Sequence, residues 1–219
     1  MSSINTITPD RLSKLIGTPK APVILDIRTA EDFAADPRLI PGSVPGTPDP
    51  AAIAREAAGR PVVVICHKGL KLSHGFAAYL RSEKIPADVL EGGFVAWSEA
   101  KLPLAAIGKL PKRDAKNRTH WVTRERPKVD RIACPWLIKR FVDPNAVFLF
   151  VQPSEVEAVG EKYGAAPFDC DGVFWSHRGE KCTFDVMIDE FQLEIPALRH
   201  LALMVRGADT ARLDLAPEA

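Results

Sequence analysis

Apolar residues along this chain gather into short unbroken runs, separated by segments with helical spacing. "APVILDIRT", "RPVVVIC" and "ADVLEGG" have strand length and are apolar on both faces, which predicts strands buried in a covered sheet. "TPDRLSKLIG" predicts a short helix: Thr8 can cap it, Pro9 suits its first position and Gly17 can end it in the left-handed region. Thr29 with Asp32 resembles a capping box, and "AAIAREAAG", "SHGFAAYLRSE" and "FVAWSEAKLP" read as further helices. The stretch "DPRLIPGSVPGTPDP" is too rich in Pro and Gly to be regular. Strands alternating with helices predict an α/β fold with a doubly wound, mostly parallel sheet, whose ligands collect beyond the carboxyl ends of the strands.

The pattern changes after residue 108. Six basic residues fall in the stretch 101–118, Lys101 and Arg118 included, and 109–118 reads as a basic linker between a domain at 1–108 and a second at 119–219. In the second half "HWVTRE" reads as a strand, "PWLIKRFV" as a helix opening at Pro135, and "AVFLFV" as a buried strand. Ser154 and Glu157 frame a capping box, and "TFDVMIDEF" and "PALRHLALMVRG" look helical. This mixture reads as an α+β domain. The halves share no internal repeat.

Composition narrows the function classes. Hydrophobic residues make up 46% and charged residues 26%, ordinary for a globular protein, and a net charge of +1 gives no support to direct nucleic-acid binding. No apolar run approaches the roughly 18 residues that cross a bilayer. The N-terminus lacks the basic start and apolar core of a secretory signal, so no membrane association is expected and a bacterial-type cytoplasmic protein with reduced thiols is. Cys66, Cys134, Cys170 and Cys182 are far apart without a CxxC pair, which argues against a zinc knuckle or a disulfide framework. No nucleotide or flavin fingerprint occurs, and no cofactor is implied.

Cys66 is the first chemical focus. It ends a buried strand and opens the polar loop His67, Lys68, Gly69, Leu70, Lys71, Leu72 to Ser73, where a helix is expected to begin. Loop N–H groups can converge on an anion there, and a helix N-terminus adds partial positive charge. Both favour a thiolate. Lys68 and Lys71 supply charge for an anionic substrate. The competing reading is a plain core cysteine.

Residues 5–107 resemble a rhodanese domain. "LDIRTAEDF", "IPGS", Cys66 and "LEGGFVAW" match that family's motifs in order. Three departures stand out. Leu39 occupies a position where the family often has His. His67 and Lys71 replace the two arginines of its "C-R-x-G-x-R-S" loop, and Leu72 is inserted before Ser73. A lysine is a single charge where an arginine is a two-pronged fork, so the resemblance implies weaker thiosulfate binding than usual. Phosphatases of this fold carry Arg six positions after the cysteine; Leu72 stands there, which argues against that activity.

The resemblance implies a sulfurtransferase. A small anionic sulfur donor such as thiosulfate leaves a persulfide on Cys66, and a thiol acceptor or cyanide removes it. Asp26 and Arg28 read as a structural ion pair, His74 as a solvated helix residue, and His67 as a candidate proton donor. Phe94 and Trp97 belong to the core by their spacing.

The second half, from Thr119 to the last residue, resembles the C-terminal domain of the chromate-resistance regulatory proteins, on "WVTRERPKVDRIACPWLIKRFVDP", "PFD", "WSHRGEKCTFD" and "VRGADTARLDLAPEA". Members usually continue several helical turns past "LDLAPEA", so the chain reads as a truncated or short member. Chromate enters as a candidate ligand on this resemblance. The family's DNA-binding N-terminal part is replaced here by the rhodanese-like half.

Within that half Arg124, Arg126, Lys128 and Arg131, with Cys134 expected at a helix cap, form a secondary candidate anion site; the alternative is a solvated charged face beside a core cysteine. His177, Cys182 and Asp185, with Asp169 nearby, contain metal-ligating atoms but match no established ligand spacing. Cys170 and His200 read as packing residues. Three functions follow in order: a sulfurtransferase linked to chromate resistance or sensing; a non-catalytic oxyanion sensor; and chromate reduction by Cys66 or Cys134 with an outside thiol.

Overall fold

The computed structural model describes residues 5–46 and 49–218, so Thr47 and Pro48 of the irregular stretch, Met1–Ile4 of the N-terminus and Ala219 lie outside the described residues. The chain divides into two compact units, the first ending at Ala105 and the second beginning at Ala106. Among the described residues no helix is long and apolar enough to cross a membrane.

The first unit runs β1 (Thr6–Ile7), α1 (Pro9–Ser13), β2 (Val23–Asp26), α2 (Ala30–Ala35), β3 (Ser43–Pro45), α3 (Pro50–Ala57), β4 (Val62–Ile65), α4 (Lys71–Ser82), β5 (Ala87–Leu90) and α5 (Gly93–Glu99). Its five strands form one parallel sheet in the order β1-β5-β4-β2-β3, which puts β4 in the middle. Side chains alternate across a strand, so β4 feeds two cores. Val62, Val64 and Cys66 pack with Ile53, Ala77 and Leu80 on one face, while Val63 and Ile65 pack with Leu12, Phe94 and Trp97 on the other. With both faces covered, the strands can be continuously apolar.

Local capping agrees with the sequence. Thr8 Oγ accepts from the Arg11 N–H, and Thr29 Oγ accepts from the Asp32 N–H. At the end of β2, Arg28 and Asp26 form a fully buried ion pair of 2.8 Å. The guanidinium also donates to the Asp36 and Arg38 carbonyls and lies 3.7 Å from the Phe94 ring centre. The pair ties the segment after α2 to the strand end. Removing one partner of so buried a pair costs about 3–5 kcal/mol.

The second unit runs β6 (His120–Arg124), α6 (Val129–Phe141), β7 (Val147–Val151), a 3-10 turn at Pro153–Glu155, α7 (Val156–Tyr163), β8 (Ala166–Pro167), α8 (Thr183–Glu190), α9 (Pro196–Asp209) and a last 3-10 turn at Leu213–Leu215. Its small sheet, ordered β7-β6-β8, is parallel throughout, with α6 and α7 as the crossovers. Trp121, Phe168, Trp175, Phe184 and Phe191 fill the core.

Four expectations are corrected here. The basic stretch 109–118 is folded into the second unit: Arg113 pairs with buried Asp143 at 3.1 Å, and Lys109 pairs with Glu190. The strand "AVFLFV" lies at a sheet edge and is only half-buried, with Phe150 41% exposed. Ser154 does not cap α7, which is entered through the 3-10 turn. Finally, α6 starts at Val129, so Pro135 lies inside it and Cys134 is no cap. A proline there forfeits one helical hydrogen bond. The helix continues because Cys134, Leu137, Ile138 and Phe141 are all buried along it.

Candidate functional site

Cys66 stands directly beyond the carboxyl end of β4, in the central strand of the first sheet, with 4% of its surface exposed. Helix α4 begins at Lys71, two residues earlier than the sequence suggests, so Leu72 sits in the first helical turn rather than in the loop. The helix needs no side-chain cap because the loop itself leads into it. Ser73, fully buried, turns its hydroxyl back to 3.1 Å from Cys66 Sγ and also donates to the Leu70 carbonyl.

Two features give this loop the form that an anion cradle requires. Among the described residues, no backbone N–H from His67 to Ser73 donates to an acceptor in the chain. Such a run of free donors is what binds an anion or a charged sulfur. Second, the loop is clamped from behind by the start of α5. Phe94 N–H donates to the Cys66 carbonyl and Val95 N–H to the His67 carbonyl, each at 3.0 Å. Gly69, Gly92 and Gly93 all have φ near +65°. A Cβ on Gly93 would lie 2.3 Å from the Cys66 carbonyl oxygen and 2.4 Å from the Gly69 nitrogen. The glycines of "LEGGF" exist so that backbone can meet backbone.

Around the cradle, Lys68 and Lys71 are exposed, and so are Leu70 (60%) and Leu72 (54%). His67 is half-exposed, its Nδ1 buried without a hydrogen bond and 3.9 Å from Asp32 Oδ1. His74 is exposed on α4, and Phe94 and Trp97 are core residues.

The second unit holds a different site. A cavity of about 430 Å³ is lined by Arg124, Lys128, Arg131, Asp169, His177 and Asp209, among others. It brings together three of the four basic residues singled out in the sequence. Arg126 does not line it. Cys134 is sealed in α6, where burial and then the Asp130 carboxylate push its thiol well above the ordinary value. It is not a low-pKa anchor for an anion.

The three metal candidates also separate. Cys182 is the buried N-cap of α8, and its thiol is likewise pushed up by burial and Asp130. Asp185 accepts from the Cys182 N–H and faces Arg206 at 3.7 Å. His177 instead meets Asp209, Asp130 and Asp169, at 3.2, 3.4 and 3.5 Å. Asp130 is fully buried; burial, then Asp209 and Asp169, push its carboxyl up to about 6. Asp130 and Asp209 escaped the sequence reading. Each is a lone acid on a long helix, and only tertiary packing brings them to one imidazole.

Known families match both units. Residues 8–100 match the model for the rhodanese-like domain, and residues 121–219 match that for ChrB, C-terminal domain. The chain joins a rhodanese-like domain to a ChrB C-terminal domain. Protein ChrB of Cupriavidus metallidurans is 36% identical over 110 residues, which are 49% of this chain and 33% of that protein. The chain thus spans about a third of the length of that curated relative. Among solved structures, thiosulfate sulfurtransferase from Pseudomonas aeruginosa is 28% identical over 47% of this chain and 19% of its own, with a TM-score of 0.40. A protein of unknown function from Rhodopseudomonas palustris, described as a possible tyrosine phosphatase, is 30% identical over 46% of this chain and 84% of its own, also with a TM-score of 0.40. Leu72, the sixth residue after Cys66, is exposed on α4.

Proposed function

We propose that the rhodanese-like domain is a sulfurtransferase that carries sulfur as a persulfide on Cys66, in a protein linked to chromate resistance or sensing. The observation that supports this most is the run of unpaired N–H groups from His67 to Ser73 that begins at the Cys66 thiol. In the first step Cys66 thiolate attacks the outer sulfur of a donor such as thiosulfate. The donor's S–S bond breaks, sulfite leaves with the electron pair, and a persulfide anion remains. Free N–H donors stabilise that terminal charge beside a sulfur-bearing residue that is only 4% exposed. An acceptor thiolate or cyanide then attacks the terminal sulfur, and Cys66 thiolate is released.

The test is intact mass spectrometry after thiosulfate treatment, with fragment mapping over the four cysteines. A gain of one sulfur atom on Cys66, and thiocyanate formation abolished by Cys66→Ser, are expected. No gain at Cys66, or turnover that survives Cys66→Ser, overturns the proposal.

A second reading, a non-catalytic oxyanion sensor with chromate as a candidate ligand, draws on the cavity that gathers Arg124, Lys128 and Arg131. Arg131 pairs with Asp169 at 3.1 Å and Arg124 donates to the Asp169 carbonyl at 2.9 Å, so both arginines are held at the cavity wall. Chromate-dependent thermal stabilisation that persists in Cys66→Ser, without sulfur transfer, favours this reading over the first.

A further inference from the structure

Asp130 is a buried carboxylate with an unusual set of partners. It accepts hydrogen bonds from the Thr183 N–H at 2.6 Å and the Phe184 N–H at 3.3 Å, at the start of α8. Its only ion-pair partner among the described residues is His177. The same holds for Asp209. Asp169 differs, since Arg131 and Arg124 already face it. Two carboxylates, one of them fully buried, therefore share a single imidazole. A buried carboxylate without a full counter-charge is among the most costly groups in a protein interior.

The distances at His177 define the cluster. Nε2 lies 3.2 Å from Asp209 Oδ2, 3.4 Å from Asp130 Oδ2 and 3.5 Å from Asp169 Oδ1. One ring N–H donates to one acceptor, and two of these separations are too long for a good hydrogen bond. They are the right separations for atoms that share a cation. With metal–ligand bonds of about 2.0–2.1 Å, tetrahedral neighbours stand about 3.4 Å apart. One donor atom from each of Asp130, His177 and Asp209 lies within 4.8 Å of the others. His177 and Asp209 also line the open cavity, which gives an ion a path in and leaves room for water ligands.

We propose that Asp130, His177 and Asp209 bind a divalent first-row transition cation. Two carboxylates balance its charge, and neutral His177 ligates through Nε2. One imidazole with two carboxylates suits Mn²⁺, Fe²⁺ or Zn²⁺ better than Mg²⁺ or Ca²⁺, which prefer oxygen alone. Thr183 and Phe184 N–H groups orient Asp130 as outer partners of the ion. Asp169, held by Arg131 and the Thr183 hydroxyl, borders the site without being needed to neutralise it. The site is independent of the chemistry at Cys66.

The experiment uses the full chain, stripped with chelator and titrated with Mn²⁺. Loss of the free-ion signal in electron paramagnetic resonance counts the sites, and calorimetry with Zn²⁺ repeats the measurement. One saturable site is expected, with a rise in the melting temperature of the second unit. His177→Ala and Asp209→Asn, both at the cavity wall, should weaken binding by about tenfold to a hundredfold at the least, with unchanged circular dichroism. Glu180→Gln, an exposed acid outside the cluster, should bind as the parent does. No saturable site, binding equal in both cluster variants and the parent, or equal weakening in Glu180→Gln each overturns the proposal. Asp130→Asn is avoided as the main test, because Asp130 also receives the α8 N–H groups.

Discussion

Ser73 Oγ lies 3.1 Å from Cys66 Sγ, seven residues along the chain and within the first turn of α4. The same hydroxyl donates to the Leu70 carbonyl when the cysteine is a thiol, and the S–H then donates to Oγ. When Cys66 is ionised the hydroxyl can rotate and donate to the sulfur instead. Such a charge-assisted bond is about twice as strong as a neutral one.

This relationship predicts the behaviour of Ser73→Ala. The variant loses one modest hydrogen bond in the fold, worth about 1 kcal/mol. Among the described residues, it also loses the one side-chain hydroxyl within hydrogen-bond reach of the Cys66 sulfur. Under the sulfurtransferase reading, thiosulfate-to-cyanide transfer should fall by about tenfold to a hundredfold, while the urea midpoint moves little. Ser73→Thr should recover part of the rate. If Ser73→Ala turns over as the parent does, Oγ has no part in stabilising the sulfur anion.

The glycines at the back of the loop yield a second prediction, built on a contrast. Gly93→Ala forces a Cβ to within 2.3 Å of the Cys66 carbonyl oxygen, at φ +62°. Neither atom is at the end of a flexible side chain, so the loop and α5 must move apart. The cost should be about 3 kcal/mol or more, and it should displace the loop N–H groups. Gly75 is also glycine, but it lies inside α4 with nothing within 4 Å of its added Cβ. Gly75→Ala should therefore stabilise the fold by about 0.5–1 kcal/mol. Urea unfolding of both variants checks the pair, and a similar sign for the two would refute the steric argument.

The same contrast explains how much was legible in the sequence. The strand β4, the cysteine at its end and the glycines of "LEGGF" are local features whose spacing carries their meaning. Helix α1 with its Thr8 cap and α2 with its Thr29 cap are equally local. Pro135 misled because a proline at a helix start and one inside a helix look alike until burial of the preceding turn is known. Asp130 is in that turn, and its burial depends on α8, more than fifty residues later. His177, Asp130 and Asp209 come from a loop and two helices, so no spacing rule joins them. Arg113 and Lys109 read as linker because charged runs are usually solvated; here each finds a carboxylate presented by the second unit.

Glu190 turns that last point into a prediction about pH. It accepts from both Lys109 and Arg178, and only 11% of its side chain is exposed. The hydrogen bond from Lys109, outweighing burial and joined by that from Arg178, holds its carboxyl below the usual 4.5. A carboxylate with a depressed folded value contributes stability that is complete above the unfolded value. That contribution is lost as pH falls through the folded one. Glu190→Gln should therefore cost about 1 kcal/mol at pH 7. The difference between variant and parent should shrink as pH falls below about 4.5, and vanish once Glu190 is protonated in both states. Lys109→Ala should show the same pH dependence with a smaller amplitude, because Arg178 remains. The measurement is the urea midpoint of the second unit's transition between pH 7 and pH 3. A gap between Glu190→Gln and the parent that persists in acid would mean the side chain acts through packing, and residues 109–118 would then owe their order to something other than this charge.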